Sequence, residues 1–298
     1  MTDKTPEQEE TQPPESPQQS DAQAAQEPPH VTRERRRRLK RLSVNKLIPN
    51  MMTLGAVAAG MSAIRFAFLE RWEHAALAIA IAAILDGLDG RVARMLKGAS
   101  KFGAELDSLS DFVAFGVAPA MVLYLWAFED FNRMGWAVAL AYTLCCGLRL
   151  ARFNTALEDP NEPPWASQYF LGVPSPAGAG LVMLPMLLHF QTDVDFFRSP
   201  AVVVVFLLGV AALLVCPLRT FSFKRVRIAR RFILPVMLVV GGLLATLFAS
   251  PWFALTAILV AYLISLPFGQ RAYSAQMARW EAAHEVATEE ASKEPNKA

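Results

Sequence analysis

Apolar segments long enough to cross a bilayer recur along most of this chain, and they restrict its fold more than any other feature. A backbone surrounded by lipid must satisfy its own hydrogen bonds, so segments of this length are expected to be α-helices. We predict eight spans, at residues 47–69, 74–96, 106–128, 135–151, 172–190, 201–217, 232–248 and 251–268. The predicted fold is an all-α, polytopic membrane protein with about eight transmembrane helices. The composition agrees, because 53% of the 298 residues are hydrophobic, which is high for a soluble domain.

Polar segments flank this apolar region. Residues 1–44 combine a Pro-, Gln-, Glu- and Ser-rich tail, predicted to be disordered, with a basic run at 33–41. We expect the transmembrane catalytic domain at 45–269 and a polar cytoplasmic tail at 270–298, helical near 275–287. A basic run next to a membrane span favours contact with the anionic lipid bilayer over nucleic acid, so no nucleic-acid partner is expected.

The distribution of positive charge predicts the orientation in the membrane. On the side shared with the amino terminus, the connections contain Arg91, Arg94, Lys97, Lys101, Arg149, Arg152, Arg219, Lys224, Arg225, Arg227, Arg230 and Arg231. The opposite connections hold only Arg71, Arg133 and Arg198. Because connections rich in Lys and Arg stay in the cytoplasm, both termini are expected there, in a multi-pass protein of the cell (inner) membrane.

Four carboxylates interrupt the apolar background around the second and third predicted spans. Asp86 and Asp89 are three residues apart, and Asp107 and Asp111 are four apart, so each pair shares one helical face. The small and polar residues at 97–103 can reverse the chain, which would direct both pairs at one point. Solvated helix ends are a poorer explanation, because the flanking sequence is apolar.

The composition of this stretch indicates which ion it would bind. Carboxylate oxygens suit a hard cation such as Mg²⁺ or Mn²⁺, which leaves positions open for substrate phosphates. No His or Cys lies between Asp86 and Asp111, which argues against zinc. The sequence therefore predicts a divalent-metal site for phosphoryl chemistry, at the cytoplasmic boundary of the membrane.

The spacing of these residues resembles a known family signature. From Asp86 to Asp111 the chain reads D-x-x-D-G-x-x-A-R, eight residues, G, three residues, D, three residues, D. This pattern is similar to that of the CDP-alcohol phosphatidyltransferases. The resemblance implies that Asp86, Asp89 and Asp107 are the principal metal ligands. It also implies that Asp111 is the general base and a further ligand.

The same resemblance implies a binding site for CDP-diacylglycerol. Its expected residues are Asn50, Thr53, Gly90, Ala93, Arg94, Ser100 and Gly103. The glycines would let a nucleotide approach the backbone, and Arg94 would hold a phosphate or pair with an aspartate. For Asn50 the alternative is that, with Pro49, it only begins a helix.

Further stretches resemble the membrane-type phosphatidylserine synthases, and they favour L-serine as the acceptor. They are LRLARFN at 148–154 and FLGVPSPA at 170–177, with 105–112 and 115–119. Arg149 and Arg152 would contact a phosphate or the carboxylate of serine, the alternative being charge that only sets topology. Other acceptors (glycerol phosphate, inositol phosphate or choline) stay open, as does a homodimer. A cation transporter is a remote alternative that would not need this glycine and arginine spacing.

Overall fold

The computed structural model describes residues 44–96, 98, 100–128, 132–156, 169–216, 219–221 and 233–293. The predicted disordered tail, its basic run and nearly all of the 155–168 loop lie outside the described residues. Within them the α-helices are α1 Val44–Phe68, α2 Trp72–Met95, α3 Lys101–Asp111, α4 Ala118–Ala127, α5 Asn132–Ala156, α6 Ser175–Val182, α7 Leu184–Thr192, α8 Pro200–Val215, α9 Ile233–Ala249 and α10 Pro251–Lys293.

The prediction of an all-α, polytopic membrane protein is confirmed. Four helical stretches are long and apolar enough to cross a membrane: Leu47–Phe68, Lys101–Ala127, Arg133–Thr155 and Pro251–Met277. Two shorter apolar stretches, Pro200–Val215 and Leu234–Ala249, accompany them. Each predicted span contains a helix, although the span at 172–190 is divided into α6 and α7 at Met183. Pro185 follows this break, and its missing amide hydrogen cannot continue the hydrogen bonding of α6.

A π-helical segment, Phe112–Val117, joins α3 to α4 directly after Asp111. Pro119 lacks the amide hydrogen that would reach the carbonyl of Phe115 in a regular helix. The hydroxyl of Tyr142 on α5 donates to this carbonyl instead, at 2.8 Å. The Tyr142 side chain is fully buried, so a polar contact from α5 stabilises the irregular segment that follows the aspartates.

Small residues allow α1 and α5 to pack closely on this π segment. A side-chain carbon placed on Gly60 of α1 would lie 2.8 Å from Cα of Ala114, which is too close for any residue but glycine. On α5, the same addition to Gly147 would lie 3.1 Å from the ring of Phe112. The π segment is therefore confined between two helices. Small residues such as these glycines are common where membrane helices pack closely.

A short two-stranded antiparallel ribbon was not predicted. Strand β1, Tyr169–Leu171, pairs with β2, Arg219–Phe221, so that Phe170 lies opposite Thr220. Gly172 follows β1 with φ of 73°, and an added side-chain carbon there would lie 2.9 Å from the carbonyl oxygen of Leu214. Only glycine accepts both the left-handed backbone and this approach, so Gly172 positions the start of α6 beside the end of α8.

Replacement of Tyr142 by Phe should destabilise the protein while keeping its ring in place. The carbonyl of Phe115 would lose its donor in a buried environment, which costs about 1–3 kcal/mol. We expect a lower unfolding temperature in detergent. Ser62→Ala is the control, because the hydroxyl of Ser62 bonds only within its own helix, to the carbonyl of Ala58. An unchanged unfolding temperature in Tyr142→Phe would contradict the role given to this hydrogen bond.

Candidate active site

The structure brings three of the four aspartates together where α2 ends and α3 begins. Asp86 and Asp89 lie near the end of α2, and Asp107 lies on α3. One carboxylate oxygen from each of the three lies within 4.8 Å of the others. The reversal of the chain between α2 and α3 therefore produces the arrangement expected from the spacing.

Asp111 lies one turn after Asp107 on α3 and adds a fourth carboxylate to the cluster. Its carboxyl group is within hydrogen-bonding reach of Asp86. Among the described residues, one oxygen of Asp111 and one of Asp107 are buried without a hydrogen-bond partner. Buried carboxylate oxygens without partners are costly, so these atoms point to a ligand.

This donor set fits a divalent cation. It offers hard oxygen ligands, and its orphaned oxygens would be satisfied by an ion. The described cluster contains only carboxylates, which again favours a hard cation over zinc. The cluster could thus bind a divalent metal through Asp86, Asp89 and Asp107, with Asp111 beside them.

Thr53 on α1 connects this helix to the two helices that carry the cluster. Its side chain is 4% exposed, and its hydroxyl lies 2.7 Å from Oδ2 of Asp89 and 3.0 Å from the carbonyl of Pro49. Its own carbonyl accepts a hydrogen bond of 3.1 Å from the hydroxyl of Ser110 on α3. Thr53 therefore orients Asp89 and fixes α1 against both α2 and α3.

All the residues expected to bind CDP-diacylglycerol line one cavity of about 200 Å³, together with Asp89 and Asp107. These are Asn50, Thr53, Gly90, Ala93, Arg94, Ser100 and Gly103. The cavity lies between the first turns of α1, the end of α2 and the start of α3. Two of the expected metal ligands and the residues expected to bind the nucleotide thus border a shared space.

The two signature glycines have different surroundings. Nothing lies within 4 Å of a side-chain carbon placed on Gly90, so its backbone borders open space in the cavity. The same carbon on Gly103 would lie 3.1 Å from Oδ1 of Asn50 and 3.2 Å from Oγ of Ser100. Gly90 therefore suits the expected approach of a ligand to the backbone, whereas Gly103 allows close packing of two other residues that line the cavity.

Ser100 and Arg94 both bond to local backbone. The hydroxyl of Ser100 accepts a 3.0 Å hydrogen bond from the amide of Gly103 and so caps the amino terminus of α3. Nε of Arg94 donates to the carbonyl of Gly90 at 3.0 Å. Arg94, which also lines the cavity, thus bonds to its own helix.

Arg149 and Arg152 have different surroundings in the structure. Arg149 is buried, donates from Nη1 to the hydroxyl of Ser175, and interacts electrostatically with Asp111 and Asp86. Arg152 is exposed and donates at 2.9 Å to the carbonyl of Val215, the last residue of α8. Carbonyls at a helix end have no partner within the helix, so Arg152 has a structural contact that Arg149 lacks.

Sequence reasoning gave no role to three supporting residues: Ser110, Tyr142 and Ser175. Each acts through a contact between elements distant in sequence, such as Ser110 with the carbonyl of Thr53. Ser110 and Ser175 do lie within the stretches that carry the family resemblance. Their side chains are 2% and 0% exposed, which sequence periodicity alone does not specify.

Comparison with known proteins identifies the family. The sequence model described as CDP-alcohol phosphatidyltransferase matches residues 46–218. The chain belongs to this family, as its signature indicated.

The relatives are more specific. The chain is 38% identical over 240 residues to the CDP-diacylglycerol–serine O-phosphatidyltransferase of Mycobacterium tuberculosis, covering 80% of this chain and 82% of that protein. It is 35% identical over 220 residues to the protein of that name from Helicobacter pylori, covering 73% and 88%. It is also 35% identical over 179 residues to the one from Bacillus subtilis, covering 60% and 92%.

Replacement of Thr53 by Val should weaken the site without removing a ligand. The side chain keeps its shape, but Asp89 loses a charge-assisted hydrogen bond, so turnover measured as CMP release should fall about tenfold. The concentration of divalent metal needed for half-maximal activity should rise as well. Thr192→Val is the control, because that exposed hydroxyl bonds only to the carbonyl of Leu188. Wild-type turnover and metal requirement in Thr53→Val would show that Thr53 does not orient Asp89.

Proposed function

We propose that this chain transfers the phosphatidyl group of CDP-diacylglycerol to the hydroxyl of L-serine, forming phosphatidylserine and CMP in phospholipid biosynthesis. The observation that carries the proposal is the shared cavity, where Asp89 and Asp107 lie beside all seven positions expected to bind the nucleotide lipid. The named relatives act on serine and align with most of the chain, which supports serine as the acceptor.

In the proposed reaction, the oxygen of serine forms a bond to the phosphorus of the phosphatidyl group, and the bond from that phosphorus to CMP breaks. Asp111 accepts the proton of the serine hydroxyl. Its position beside Asp86, with one buried oxygen free of hydrogen bonds among the described residues, suits a base that acts on a bound substrate. Asn50, Arg94, Ser100 and the backbone of Gly90 would hold the nucleotide and its phosphates.

We propose that the cation is Mg²⁺ or Mn²⁺, held by Asp86, Asp89 and Asp107 with Asp111 as a further ligand. When bound, the ion would neutralise the pyrophosphate and the charge that develops on the departing CMP. The carboxylates of the chain supply hard oxygen ligands for this purpose, and Thr53 orients one of them.

Acceptor binding is proposed for Arg149 and Arg152. Arg149 is the better supported, because it is buried and interacts electrostatically with Asp111, the proposed base. A guanidinium group can grip a carboxylate with two parallel hydrogen bonds, which lysine cannot do. Arg152 instead bonds to the carbonyl of Val215 at the end of α8, which favours a structural role for this arginine.

We further propose that the protein lies in the inner membrane with both termini and the aspartate cluster on the cytoplasmic side, where water-soluble serine reaches the cluster. Lys101 at the start of α3 and Asp195 between α7 and α8 are both exposed. In a Cys216→Ser background, Lys101→Cys should react with an impermeant thiol reagent only from the cytoplasm, and Asp195→Cys only from the opposite side. Reversed labelling would contradict this orientation.

The acceptor is tested by supplying purified protein with CDP-diacylglycerol and one labelled alcohol at a time. Serine should give labelled phosphatidylserine and an equal amount of CMP, whereas glycerol phosphate, inositol phosphate and choline should give little product. Preferential use of one of those three would replace serine while leaving the family chemistry intact.

Metal dependence is tested by Asp89→Asn and by chelation. Removal of divalent ions should abolish CMP release, and Mg²⁺ or Mn²⁺ should restore it. Asp89→Asn should lower turnover by at least about a thousandfold, since a ligand is lost, while the protein still inserts into membranes. Thr192→Val again serves as the control. Full activity in Asp89→Asn, or in excess chelator, would contradict the metal site.

A further inference from the structure

Ser175 begins α6, within the FLGVPSPA stretch that carries part of the family resemblance. Its side chain is 0% exposed, and its hydroxyl accepts a hydrogen bond from Nη1 of Arg149 on α5. The sulfur of Cys146 lies 4.0 Å from the same hydroxyl. Ser175 therefore holds one end of the Arg149 guanidinium group inside the protein, and among the described residues no hydrogen bond joins Ser175 to an aspartate.

A different part of the same guanidinium group lacks a partner. Arg149 is 9% exposed, and among the described residues its Nε is buried with no hydrogen-bond partner. Leaving a charged donor buried and unpaired costs more than the hydrogen bond itself contributes, so such an atom points to a ligand. Asp111 and Asp86, both in the proposed reaction centre, are among the acidic groups whose charge acts on this guanidinium group.

The geometry of the guanidinium group indicates the kind of ligand. With Nη1 bonded to Ser175, the edge formed by Nε and Nη2 is the one left for a fork of two parallel hydrogen bonds to a carboxylate. The ring of Phe153 lies 5.7 Å from Cζ of Arg149 and restricts the guanidinium plane from one face. Ser175 and Phe153 thus fix the group while one edge stays available.

We propose, on the basis of the function proposed above, that Ser175 is a positioning residue that holds Arg149 with its Nε edge toward the carboxylate of the acceptor. This pair makes the chain select amino acids over amino alcohols. Serinol is the informative comparison, because it has the hydroxyl and amine of serine but a second hydroxymethyl group in place of the carboxylate. Loss of Ser175 should therefore affect serine and leave serinol unaffected.

The test uses the full-length chain with Ser175→Ala, and with Ser175→Cys as a second variant that keeps the side-chain shape but accepts hydrogen bonds weakly. The Michaelis constant for serine should rise about tenfold in both variants, while that for CDP-diacylglycerol stays within about twofold of wild type. Serinol, measured as a substrate or as a competitive inhibitor of serine, should keep its wild-type constant. The matched control is Thr256→Val, another buried hydroxyl that accepts a side-chain hydrogen bond, here from Gln191 at 2.8 Å.

A double-mutant cycle tests whether Ser175 acts through Arg149. In an Arg149→Lys background, Ser175→Ala should produce no further rise in the Michaelis constant for serine, because the fork is already lost. Additive effects, or equal losses for serine and serinol, would overturn the inference. If the wild-type protein uses serine and both Ser175 variants keep the wild-type Michaelis constant for serine, the inference is overturned while the proposed function stands. Wild-type protein that transfers to other alcohols and not to serine would overturn the proposed acceptor and the inference with it.

Discussion

The structure depends on the electrostatic cost of placing four carboxylates in an apolar helical bundle. Asp86, Asp89, Asp107 and Asp111 occupy two helices, and two of their oxygens are buried without hydrogen-bond partners among the described residues. In this environment like charges repel strongly, so a bound cation would stabilise the arrangement. The tight reversal between α2 and α3 and the cavity beside it are consistent with a site built around an ion and a phosphate-bearing substrate.

Neutral hydroxyl groups keep this charged cluster in place. The hydroxyl of Thr53 bonds to Asp89, and its carbonyl accepts a hydrogen bond from Ser110. These two contacts connect α1 to both aspartate-bearing helices. Tyr142 donates to the π segment that follows Asp111, and the hydroxyl of Ser175 accepts a hydrogen bond from Arg149. None of these residues adds charge, so they orient the carboxylates and the guanidinium group without changing the net charge of the cluster. The active-site geometry is thus set largely by contacts between helices distant in sequence.

Much of this arrangement could be predicted from the sequence, because it follows from local spacing. The separations of three and four residues placed each aspartate pair on one helical face, and all seven residues expected from the family resemblance to bind the nucleotide lipid line the cavity. The π segment could not be predicted, since it depends on a hydroxyl donated by Tyr142 from another helix. The different environments of Arg149 and Arg152 depend in the same way on the positions of Ser175 and Val215.

Direct measurement of Mn²⁺ binding tests whether the aspartates form a metal site. Free Mn²⁺ gives a sharp electron paramagnetic resonance signal that broadens when the ion is bound, so a titration of the purified protein reports binding without any substrate. We predict saturable Mn²⁺ binding in the wild-type protein, weakened at least about a hundredfold when Asp86, Asp89 and Asp107 are all replaced by Asn. Equal Mn²⁺ affinity in the two proteins would contradict a metal site at these aspartates.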